Sequence, residues 1–169
     1  MKKNLVLIGM MASGKSTLAR MASQALDINL VDTDKLIEKE TNLRIYEIFK
    51  TKGENFFRNI EEKTVLNSIK SSKKNIIAIG GGAFLNNKIR KEIENKCISI
   101  WLKWSNKILI TRIKNGKKRP KAHLLNSEEL NTLINERSKI YSKADYKINC
   151  DKLTKDEITN KILNIYEKK

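Results

Sequence analysis

The chain has 169 residues, 40% of them hydrophobic, and carries a formal charge of +16 from 35 Lys+Arg against 19 Asp+Glu. That length suits one domain with a real core, and no apolar run reaches the ~20 residues needed to cross a bilayer. A single histidine, His123, excludes a His-based metal site or catalytic triad, and Cys97 and Cys150 are too far apart for metal-ligand spacing, so they read as small core residues of a reducing compartment.

The first strand is the apolar run Asn4–Ile8. It opens on a positively charged start like that of a signal peptide, but it is short and feeds directly into Gly9-Met10-Met11-Ala12-Ser13-Gly14-Lys15-Ser16. Good helix formers follow, predicting a helix over Lys15–Leu26. Strand, glycine-flanked loop and helix, with Lys-Ser at the helix start, is the phosphate-binding loop in its required context. The glycines let successive amides turn inward towards phosphate oxygens, and the helix start adds unsatisfied N–H groups and the positive end of its dipole. Lys15 is expected to reach the β- and γ-phosphates and the Ser16 hydroxyl to ligate Mg²⁺.

A short second strand, Asn29–Asp32, ends in Asp32-Thr33-Asp34. If the strand continues, the two carboxylates share a face, one for a metal and one for an acceptor hydroxyl. A turn residue (Asp32) and a helix N-cap (Asp34) are the plainer readings. Helical patterns cover about 34–41 and 45–52, and Gly53 breaks the run. A long helix over Glu54–Ser71 carries Phe57, Ile60, Val65, Leu66 and Ile69 near helical spacing. Arg58 lies on it with Glu61 one turn on to orient it. Phe49 and Phe57 suit either an apolar wall of the site or ordinary core packing. The β-rich run Asn75–Ile79 ends at Gly80-Gly81-Gly82, three of the seven glycines, where a ligand can approach the backbone closely.

A helix over 86–94, a strand over Cys97–Leu102 and a helix over Ser105–Lys114 capped by Ser105 follow. Asn115–Leu125 is polar and basic and holds the only proline, Pro120, after Arg119. It reads as a loose connection or as an arginine-bearing flap that closes over phosphates and excludes water. Ser127–Ser142 is helical with Ser127 as N-cap, Tyr146–Asn149 is the last strand, and Thr154–Glu167 closes the chain with Ile158, Ile162 and Ile165 on one face. Such alternation predicts a parallel sheet with helices on both faces, and ligands at the carboxyl ends of its strands. Arg58, Arg112, Arg119 and Arg137 stand out where lysine is the usual cation, because arginine grips carboxylate or phosphate with a planar fork. The high charge fits either anion steering combined with compositional bias, or nucleic-acid binding.

Taken together, these residues resemble the shikimate kinase family across essentially the whole chain. The matching stretches are Gly9–Ser16, Asp32–Asp34, Gly-Glu-x-x-Phe-Arg-x-x-Glu at Gly53–Glu61, Gly80–Gly82, Arg119–Pro120 and Glu-Arg-x-x-x-Tyr at Glu136–Tyr141. The resemblance implies a three-layer α/β P-loop kinase fold with a five-stranded parallel sheet. It implies one domain over 1–169, with a substrate-binding helical segment at about 33–61 and a lid at about 115–125. It implies transfer of the ATP γ-phosphate to the 3-hydroxyl of shikimate, towards chorismate and the aromatic amino acids; the protein is expected to be a cytoplasmic monomer that binds neither membrane nor nucleic acid. By carry-over, Lys15, Asp34 and Arg119 are catalytic. Gly9, Ala12, Ser13, Gly14, Lys15, Ser16, Thr17, Arg112 and Arg119 bind ATP, with Arg112 along the adenine. Ser16 ligates Mg²⁺ and Asp32 holds it through water. Asp34, Arg58, Gly80, Gly81, Gly82 and Arg137 bind shikimate. Ala12 stands where the family often has glycine, and the lid reads Arg119-Pro120-Lys121-Ala122-His123-Leu124-Leu125 in place of the family's Arg-Pro-Leu-Leu. A gluconate-type kinase is the alternative enzyme, and a nucleic-acid-binding P-loop protein the alternative of another class.

Overall fold

The structure is a computed structural model and describes residues 4–116 and 125–168. Arg119, Pro120 and the altered segment Lys121–His123 of the expected lid lie outside the described residues.

Five parallel strands form one sheet in the order β2-β3-β1-β4-β5: β1 Asn4–Ile8, β2 Asn29–Asp32, β3 Asn75–Ala78, β4 Cys97–Lys103 and β5 Tyr146–Asn149. Eight α-helices lie among the described residues: α1 Lys15–Leu26, α2 Thr33–Thr41, α3 Ile45–Thr51, α4 Gly53–Lys70, α5 Asn87–Lys96, α6 Asn106–Asn115, α7 Ser127–Tyr141 and α8 Lys155–Glu167. A 3₁₀ turn spans Ala83–Leu85. No helix is long and apolar enough to cross a membrane among the described residues.

Burial explains the strand compositions. β1 is central, and Leu5, Val6, Leu7 and Ile8 are fully buried, as a strand covered on both faces must be. Edge strands β2 and β5 are partly exposed and correspondingly more polar. On one face α1 packs against β3 and β2, with α8 beside it. On the other, α4 packs on β3 and α5 on β4. The polar starts of the inner strands are satisfied in place: the Asn4 side chain donates to the Ile69 carbonyl and accepts from the Asn75 amide, and Asn75 accepts from Asn29. Cys97 and Cys150 are buried thiols. The Cys150 thiol is pushed up to about 12, first by burial and then by Asp151.

Local capping differs in part from expectation. The second strand stops at Asp32, which is the N-cap of α2 and accepts from the Lys35 amide at 3.3 Å. Asp34 therefore sits in the first helical turn, and strand alternation does not place it. Ser127 is not the cap of α7. Asn126 accepts from the amides of Glu128 and Glu129, and Glu129 accepts from the Asn126 amide, a reciprocal box that a serine one residue later cannot make. Ser127 accepts from Lys114 instead. Ser105 holds the cap position of α6 without a side-chain cap bond; its amide donates to Asp151.

A small second core lies under the site. Ile37 of α2, Ile48 of α3 and Phe57 of α4 are buried together. Phe57 meets Phe49 at 4.5 Å between ring centroids. The two phenylalanines are thus the core that fixes α2, α3 and α4 as a unit, with Arg58 against both rings.

Candidate active site

The carboxyl ends of β1, β2 and β3 converge on one cleft of about 230 Å³, lined by Ala12, Gly14, Lys15, Ser16, Thr17, Asp32, Asp34, Ala78, Ile79 and Gly81. Order β2-β3-β1 brings them together, since three neighbouring strands end side by side. Gly14 adopts φ +87°, a left-handed turn that points the chain into α1. The first intrahelical bond runs from the Leu18 amide to Gly14 O, so the amides before it head the helix at the cleft. The Lys15 ammonium spans the loop, donating to Gly9 O and Met10 O at 2.9 Å each. Gly9 and Ser13 lie behind this surface. A Cβ on Gly9 would lie 3.0 Å from Ser13 Oγ and 3.1 Å from Leu102 O, and Ser13 is buried.

Ala12 takes φ 62°, in the left-handed region that costs a residue with a Cβ roughly 1–2 kcal/mol. Replacing it with glycine removes that strain but adds about 0.4–1 kcal/mol of unfolded-chain entropy to be lost. Ala12→Gly is expected to raise the thermal midpoint by about 1–3 °C in calorimetry. A lowered midpoint would show that the alanine methyl contributes packing worth more than the strain.

The second half of the site is built on Gly80-Gly81-Gly82, where side-chain space, not backbone torsion, demands glycine. A Cβ on Gly80 would lie 2.7 Å from Glu61 Oε1 and 2.8 Å from Asp34 Oδ1. One on Gly82 would collide with the Arg58 guanidinium. The Gly81 carbonyl accepts from the Tyr141 hydroxyl, whose pKa is pushed up to about 12, chiefly by burial. Four side chains, of Asp34, Glu61, Arg58 and Tyr141, thus close in on three residues of bare backbone.

Glu61 is the hub. Its position on the buried stripe of α4, four residues after Phe57, takes its carboxylate into the interior at 2% exposure. Burial raises its pKa, Arg58 opposes this, Asp34 adds to it and Arg137 opposes it. Arg58 Nη1 donates to Glu61 at 2.7 Å, while Nη2 and Nε donate to Glu54 at 3.2 and 3.3 Å. Burial works against the Arg58 charge, but Glu61 and Glu54 outweigh it and its pKa is raised. Of five guanidinium N–H groups these bonds use three, leaving one on each terminal nitrogen, a fork suited to a carboxylate. Arg137 comes from α7. Its Nη1 contacts Met10 Sδ at 3.7 Å, and its buried Nε has no hydrogen-bond partner.

The structure therefore gathers Lys15, Ser16, Asp32, Asp34 and Gly81 in the cleft, with Arg58 against Gly82 and Arg137 beside Gly81. Arg112 is not among the residues that line the cleft; its guanidinium carbon lies 3.8 Å from the Trp104 ring centroid. Sequence reading gave no role to Glu54, Tyr141 or Trp104. Glu54 was detectable, lying four residues before Arg58. Trp104 acts across a long sequence separation and carries no local signal, and Tyr141, though it closes the Glu136–Tyr141 stretch, has its partner Gly81 60 residues away.

Comparison with known proteins gives a consistent picture. The family model described as shikimate kinase matches residues 11–167. A shikimate kinase of Thermodesulfovibrio yellowstonii is 36% identical over 167 residues, covering 98% of this chain and 96% of that protein. Among solved structures, shikimate kinase from Acinetobacter baumannii in complex with shikimate superposes with a TM-score of 0.88 at 29% identity, over 98% of this chain and 93% of that one. A gluconokinase from Sinorhizobium meliloti has a TM-score of 0.64 at 15% identity, over 99% and 93% of the two chains, and shares the fold alone.

Proposed function

We propose that this chain, which belongs to the shikimate kinase family, transfers the γ-phosphoryl group of ATP to the 3-hydroxyl of shikimate. The observation that carries this reading is the pairing of two half-sites. A phosphate loop with Lys15 lies on one side of the cleft, and a carboxylate next to two arginines, over three glycines, lies on the other.

Each residue has a task that its surroundings support. The loop amides at the start of α1 and the Lys15 ammonium hold the β- and γ-phosphates and offset charge on the transferring group. Arg58 and Arg137 grip the acceptor carboxylate. Gly80, Gly81 and Gly82 admit the ring against the backbone, and Tyr141 fixes the Gly81 carbonyl. That leaves an acceptor hydroxyl beside Asp34, which orients it and takes its proton as the oxygen attacks. Glu61 aims Arg58. Arg119 joins the phosphates by family resemblance. The segment around it, outside the described residues, is assigned to exclude water, which would otherwise accept the phosphoryl group.

Ser16 and Asp32 are hard oxygen donors on the same cleft and suit Mg²⁺ brought in on the nucleotide, Asp32 acting through water. When bound, that ion neutralises charge on the phosphate oxygens. Among the described residues no group of three or more His, Cys, Asp or Glu side chains forms a cation cage.

An ADP-release assay over a panel of hydroxy acids tests the reading. ADP release that depends on shikimate, with gluconate inert, is expected. Turnover with another acceptor and none with shikimate overturns it.

A further inference from the structure

The geometry points to Trp104 as a positioning residue that ties the phosphate loop to the nucleotide-base side of the site. The inference rests on the place along the adenine that the family resemblance implies for Arg112. Trp104 is the first residue after β4. β4 runs beside β1 with Trp101 opposite Ile8, so the chain leaving β4 passes alongside the phosphate loop that leaves β1.

Two contacts give the indole its role. Its Nε1–H donates to Ser13 O at 3.0 Å in a buried bond. In a trans peptide the carbonyl and the following N–H point in opposite directions. Holding Ser13 O towards Trp104 therefore turns the Gly14 N–H away from the indole, towards the cleft that Gly14 lines. Its ring, 9% exposed, carries the Arg112 guanidinium at 3.8 Å. Arg112 is otherwise exposed on the last turn of α6, and a long side chain there would sample many rotamers without this platform. A planar base laid on the outer side of the guanidinium completes a stack with Trp104 beneath. One side chain thus sets both a phosphate-facing amide and the cation under the base.

Two substitutions separate these contacts. Trp104→Phe keeps a ring face and loses the N–H donor. Trp104→Leu loses both. By calorimetry, ADP affinity is expected to fall about 3- to 10-fold in the first and about 10- to 100-fold in the second. The KM for ATP follows, while the KM for shikimate stays within about twofold. In an Arg112→Ala background the Leu variant should lose no more than the Phe variant does, since the ring's second task is gone. Unchanged ADP affinity in both variants overturns the proposal. So does a parallel rise in both KM values with a lowered thermal midpoint, the signature of a merely structural tryptophan. ADP titration needs no acceptor, so these results stand or fall separately from shikimate turnover.

Discussion

Asp34→Asn is expected to lower kcat by about 10²- to 10⁴-fold, the usual range for loss of a positioned proton acceptor, while ADP affinity stays within about twofold. The substitution is nearly isosteric, so the tight fit of the side chain over Gly80 is kept. What changes is charge. Asparagine cannot accept the hydroxyl proton, nor can it hold the nucleophile oxygen through a charge-assisted bond. Thermal stability should barely move, because two small effects oppose one another. A carboxylate is lost from the first turn of α2, where the helix dipole favours it, and a like charge is lost from beside buried Glu61. Single-turnover kinetics with saturating ATP and shikimate make the measurement. Ordinary turnover in this variant would remove Asp34 from the chemistry and leave it as a helix residue that happens to line the cleft.

The second large effect concerns the acceptor clamp. Arg58→Ala and Arg137→Ala should each raise the KM for shikimate by about 10- to 150-fold, the equivalent of one charge-assisted contact of roughly 1.5–3 kcal/mol. The KM for ATP should stay within about threefold. Unaltered shikimate affinity in both variants would contradict the clamp. The two should differ in stability. Arg58→Ala strips Glu61 of its ion pair, leaving a buried carboxylate whose pKa burial and Asp34 both raise. The folded state then favours protonated Glu61 more than the unfolded chain does. The sign follows: stability of this variant is fully present below the ordinary carboxylate pKa and is lost as pH rises through the raised one. Its deficit against the parent should therefore be small in mild acid and larger at neutral pH, in urea titrations across that range. Arg58→Lys should recover stability more than shikimate affinity, because an ammonium pairs with Glu61 but lacks the fork. The exposed side of Arg58 and its partner Glu54 contribute little to any of these differences, being screened by solvent.

Gly9–Ser16 was legible without a structure because backbone chemistry itself dictates the pattern: glycines where the chain must turn tightly, Lys-Ser where a helix must begin. The element order followed from apolar runs and helical spacing, and the alternation of strand and helix fixed a parallel sheet. Arg58 and Glu61 were readable for a similar reason, since three residues on a helix is a contact distance. The expectation for Asp32 and Asp34 reached the right cleft by the wrong route. The shared face held only if the strand continued, and a helix cap ends the strand at Asp32. Capping decides such a boundary through bonds to amides only one to three residues away, and an aspartate fits either outcome.

What the sequence determined by itself is the set of local devices: a phosphate loop, a helix-borne arginine with its carboxylate, a glycine run after a buried strand, and a sheet built from parallel units. Tertiary structure alone decided how they share one cleft. The order β2-β3-β1 sets three strand ends side by side. α7 returns Arg137 to Met10, 127 residues earlier in the chain. The Gly80–Gly82 run is explained by the side chains of Asp34, Glu61 and Arg58 that press on it, not by its own torsions. Trp104 reaches Ser13 across 91 residues. Such contacts depend on which surfaces the folded core brings together, and spacing along a chain carries no record of them.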